Sequence, residues 1–95
     1  MSDTPKPPEP LPIQIDDDVA NGRYVNMALV NHTETEFTLD FIHVQPHPVR
    51  AKVLSRVILN PKHVKRLLKV LQDGVANYES RYGTIVITDD GRPMH

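Results

Sequence analysis

Cysteine is absent from this 95-residue chain. That excludes a disulfide framework, a cysteine-based zinc site and a thiol nucleophile. Tryptophan is also missing, and three Tyr and two Phe are the only aromatics, which leaves little for stacking on nucleic-acid bases. The four glycines are scattered, so no glycine-rich loop is present to cradle a phosphate. No apolar run approaches the length needed to span a bilayer. The opening MSDTPKPPEPLPIQIDDD has no basic start followed by an apolar stretch, so a secretory leader is not expected. These absences point to one small, soluble, cytoplasmic domain with no resident cofactor.

A further absence is local. Residues 41–72 contain no Asp or Glu, yet they hold seven of the eleven Lys and Arg. The acids lie on either side, with eight against two bases in residues 1–40 and four against two in residues 73–95. The net charge of −1 therefore hides a strong internal polarity, and a surface of one sign steers partners of the other.

Five of the nine prolines fall in the first twelve residues. Residues 1–18 combine them with acids and too little apolar surface to offset the entropy of ordering, so a disordered or polyproline-like tail is expected there, with Ile13 and Ile15 candidates for a short edge strand. A single domain is expected over 19–88 and a frayed end over 89–95. Within the domain, Val25, Met27 and Leu29 alternate with Tyr24, Asn26 and Ala28, predicting a strand over 24–31. Phe37, Leu39 and Phe41 alternate with Thr38, Asp40 and Ile42, predicting a second over 36–44. The short polar link between them predicts an antiparallel hairpin. QPHPVRA (45–51) reads as a loop. KVLSRVIL (52–59) is rich in β-branched and apolar residues and predicts a third strand.

Asn60-Pro61 pairs a favoured N-cap with the residue favoured at the first helical position. Val64, Leu67, Leu68, Leu71, Val75 and Tyr78 follow at helical spacing, and Gly83 is a natural stop. A helix is predicted over 61–82, with Gly74 inside it at a cost of about 1 kcal/mol relative to Ala. TIVIT (84–88) predicts a short strand. The fold class is α+β: an antiparallel sheet of three to four strands, then one long helix packed on one sheet face through that stripe. Ala28, Val30, Ile42, Leu54 and Ile58 are then expected on the other face. So apolar a face predicts cover by a second copy, most simply in a homodimer.

The helix carries its charge against its dipole. Lys62, Lys65, Arg66 and Lys69 occupy the first half, Asp73 and Glu79 the second. The dipole prefers the reverse by roughly 0.3–1 kcal/mol per exposed charge. With Arg50, Lys52 and Arg56 from the preceding loop and strand, these cations form a candidate anion-binding set for an acidic or phosphorylated protein partner, or for nucleic acid. Enzymatic chemistry finds no comparable footing. His43 and His47 stand four apart, but Pro46 and Pro48 exclude the helix that would align them on a metal. Glu34, Glu36 and Asp40 lack a nucleophile motif, and Ser55 lacks a base. A non-enzymatic interaction module without metal or cofactor is the expectation.

The residues also allow a comparison. The Tyr24-Val25-Asn26 strand, EFTLDF (36–41), SRVILNPKHVKRLLKVL (55–71) and NYESRYGTI (77–85) recur in this order in DUF family 3467, a set of small prokaryotic proteins of unknown function. The chain resembles that family over about 22–86, with the proline-rich tail outside. The resemblance implies a non-enzymatic single domain and supplies no substrate, cofactor or site. The three-strand, one-helix order and SRVILN before a long helix are also similar to the PUR repeat. That likeness implies single-stranded nucleic-acid binding as the alternative.

Overall fold

The computed structural model describes residues 10–88. Its elements are α1 (Asp17–Ala20), β1 (Met27–His32), β2 (Phe37–Pro46), β3 (Val49–Leu59) and α2 (Pro61–Tyr82). The strands form one antiparallel sheet in the order β1-β2-β3. The fold is α+β, with the sheet preceding the long helix as the residue pattern predicts.

The first hairpin joins β1 to β2, with Met27 opposite Ile42 and His32 opposite Phe37. Its turn is held by Thr33, whose hydroxyl accepts from the backbone N–H of Thr35 at 3.3 Å and of Glu36 at 3.2 Å. A threonine at a turn start offers the backbone such a local acceptor. Ahead of β1, the Asn26 side chain stands in for a strand residue. It accepts from Val44 N–H at 2.8 Å and donates to Val44 C=O at 3.0 Å. Ile13 and Ile15 lie exposed and outside any strand.

The predicted loop over 45–51 is in fact mostly strand. β2 runs on to Pro46 and β3 begins at Val49, which pairs with Pro46 across a turn of His47 and Pro48 joined by a cis bond. Prolines signalled a break, but they fall at a strand end and in a turn, where a missing N–H disturbs no central ladder. The β2–β3 register slips by one residue near Phe41 and Ile42, since Phe41 faces Ser55 while Ile42 faces Val53. Leu54 is the extra residue of this bulge. Its carbonyl accepts from Arg23 Nη1 at 2.9 Å, so the segment before β1 is fastened across the sheet at the irregularity.

α2 has the predicted bounds. Asn60 caps it, its side-chain oxygen accepting from His63 N–H at 2.9 Å, and Gly83 ends it at φ 100°. The packing differs from expectation. Val64 and Leu67 are half-buried, but Leu68, Leu71, Val75 and Tyr78 are 45–56% exposed. α2 makes little contact with the sheet, chiefly with β3, so the apolar stripe is not covered by a sheet face of its own chain. Gly74 has no atom within 4 Å of where a Cβ would sit, so no close approach requires it.

Two other elements depart from the reading of the residues. Residues 84–88 form no strand and join no edge of the sheet; Ile85, Val86 and Ile87 are exposed. α1 straddles the expected boundary between tail and domain at 18/19. Asp17 and Asp18 in its first turn suit the positive end of a helix, and Gly22 follows at φ 73°. The expected end segment 89–95, and residues 1–9 of the expected tail, lie outside the described residues.

Cross-strand register sorts the side chains into two layers. Ala28, Val30, Phe37, Leu39, Phe41, Ser55 and Val57 share one face; Met27, Leu29, Thr38, Asp40, Ile42, Arg56 and Ile58 share the other. The expected outward set is thus divided between the two: Ala28 and Val30 lie opposite Ile42 and Ile58, and Ile42 is buried. Only Leu39, Ile42 and Asp40 are buried among the described residues. The sheet's buried centre is the middle of β2, and it is thin.

Candidate functional site

Three features border on function: an ion pair between buried Asp40 and exposed Arg56, a basic helix face and the uncovered apolar stripe behind it. Asp40 sits at the centre of β2, directly across from Arg56. The two form a bidentate bridge, Nε to Oδ1 at 2.6 Å and Nη2 to Oδ2 at 2.9 Å. Asp40 is 4% exposed, and a fork-to-fork guanidinium pairing satisfies both its oxygens. The hydrogen bonds from Arg56 hold the Asp40 carboxyl below its ordinary pKa; desolvation opposes them, and the guanidinium charge adds to the lowering. The same hydrogen bonds raise the Arg56 pKa, helped by the carboxylate charge and opposed by desolvation.

The seven candidate cations separate into three groups. Lys62, Lys65, Arg66 and Lys69 fall three and four apart along α2, which places them on one helix face. Counting 100° per residue puts this face about 155° from the stripe of Leu67, Leu68, Leu71 and Val75. Lys69 Nζ also meets Asp73 at 2.9 Å, an exposed pair of about 0.3–0.5 kcal/mol, and Arg66 Nη1 stands 3.5 Å from His63 Nδ1. Arg56 is engaged by Asp40. Arg50 and Lys52 lie across from Gln45 and His43 near the far end of β3. From Lys52 to the helix start is roughly 25 Å of strand. The structure therefore assembles a basic face on α2 alone and does not bring all seven together.

Other candidates are also dispersed. Glu36 lies in the hairpin turn, away from the Asp40–Arg56 pair. Tyr24 meets His43 edge-on, ring centroids 6.0 Å apart. Among the described residues no three His, Asp or Glu side chains are grouped so as to hold a metal ion, and no helix is long and apolar enough to cross a membrane. A shallow hollow of about 510 Å³ lies between Asp18, Val19, Gly22, Arg23, Phe41 and Leu54. The residue pattern gave no sign of it, because its walls come from segments far apart in the chain.

Comparison with known families matches residues 1–87 to the family described as protein of unknown function (DUF3467). The chain belongs to that family. The match takes in the proline-rich opening segment, which the resemblance over 22–86 had left outside. No curated protein and no solved structure matches the chain.

Proposed function

We propose that this chain is a homo-oligomeric, non-enzymatic interaction module that presents the basic face of α2 to an acidic or phosphorylated protein partner. The observation that carries the reading is the open stripe of α2. Leu68, Leu71, Val75, Tyr78 and Tyr82 are each 45–69% exposed, an apolar stripe of the kind that marks a protein–protein contact.

A second copy on the apolar stripe leaves Lys62, Lys65, Arg66 and Lys69 facing away from the contact. The polar side of the helix then serves the partner while the apolar side serves assembly. The test is binding of a fluorescent, phosphorylated, Glu-rich peptide at two salt concentrations. Binding is expected to weaken at the higher salt. The combined Lys62→Ala, Lys65→Ala and Arg66→Ala variant should bind at least tenfold more weakly and keep its circular dichroism. Binding of a short single-stranded oligonucleotide in place of the peptide, with a steep salt slope, would favour the PUR-like alternative. Binding of neither would overturn the docking role.

A further inference from the structure

We propose that Thr84–Thr88 of one copy adds as a fourth strand to the outer edge of β1 in a second copy, reciprocally. This rests on the homo-oligomer reading and specifies how that assembly is joined.

The donor has the composition of a strand and no partner within its chain. Every residue of TIVIT is β-branched, which favours extended backbone and a pleated surface. Ile85, Val86 and Ile87 are 45%, 75% and 92% exposed. The hydrogen bond that reaches the segment's backbone, among the described residues, is from Ile85 N–H to Glu79 Oε2 at 2.8 Å. Gly83, at φ 100°, ends the helix and releases the segment from its axis. No pairing within the chain is seen. α2 has 22 residues, about 33 Å of helix, its stripe is exposed, and 84–88 joins no strand of its own sheet.

The two edges differ as acceptors. Natural sheets guard exposed edges with charge, proline or bulges. β3 has such guards: Arg50, Lys52 and Arg56 along it, the bulge at Leu54, and Arg23 bonded to the Leu54 carbonyl. β1 has none. MALVNH (27–32) contains no charged residue and no proline, and its register with β2 is unbroken. Leu29 and Val30 are 43% and 57% exposed on opposite faces. A donor with Ile85 and Ile87 on one face and Val86 on the other would extend both layers. Its five residues suit the six of β1. Main-chain bonds would supply affinity, and the alternate side chains would fix register.

The test mixes isotope-labelled and unlabelled full-length chains and records only nuclear Overhauser contacts between copies. Contacts between Ile85–Ile87 and Met27–His32 are expected. The Val86→Pro variant, which lacks the central N–H, should raise the dissociation constant of self-association at least tenfold while the circular dichroism of β1–β3 and α2 is retained. Self-association without those contacts, or with the β1 edge occupied by residues 10–16, overturns the strand-addition proposal and leaves the oligomer reading standing. A chain that stays monomeric by light scattering overturns both.

Discussion

Asp40 is where a single residue shows most about this protein. An acid in the middle of a central strand would ordinarily be excluded from a core, yet the register sets Arg56 directly opposite and both carboxylate oxygens are bonded. Neutralising the carboxylate takes away both charge-assisted hydrogen bonds from Arg56. Asp40→Asn should therefore lower the thermal midpoint at neutral pH. The sign of its pH dependence follows from the depressed carboxyl pKa. The native state holds Asp40 ionised more tightly than the unfolded chain does. The resulting stability is present above the ordinary carboxylate pKa of about 4 and is lost as pH falls through the lower native value. Thermal melts of wild type and Asp40→Asn should accordingly differ at pH 7 and converge in acid. A gap that persists unchanged in acid would show that the variant acts through packing and not through charge.

Elements were legible to the extent that local chemistry defines them. Asn60-Pro61 placed the start of α2 and Gly83 its end, because capping and helix termination are settled by a few adjacent residues. Asn60→Ala should cost about 1 kcal/mol, read from chemical denaturation, since the Asn60–His63 bond satisfies one of the orphan N–H groups. The β1–β2 hairpin was legible from alternation. The β2–β3 hairpin was not, because the prolines of QPHPVRA mark a break without saying how short it is. The bulge at Leu54 was also hidden, and with it the change of face that sets Arg56 apart from Lys52. A one-residue slip reverses which side every later residue serves. That is the physical reason the candidate cations looked like one set along the chain while the structure leaves four of them together on α2.

At the scale of the whole molecule, the stripe of α2 was correct as a pattern and misplaced as a contact. Periodicity states that a face will be buried; it does not state which chain buries it. The same holds for TIVIT, whose strand character is evident and whose neighbour is not. The thin centre around Leu39 and Ile42, the exposed stripe and the unguarded β1 edge have one common explanation in a second copy. An assembly of this kind makes folding stability depend on concentration. Light scattering of the full chain across micromolar concentrations, with melts at each, tests this most directly. The expected result is a mass at least twice 10.8 kDa and a midpoint that rises with concentration. A single 10.8 kDa species that unfolds cooperatively at one fixed midpoint would contradict it.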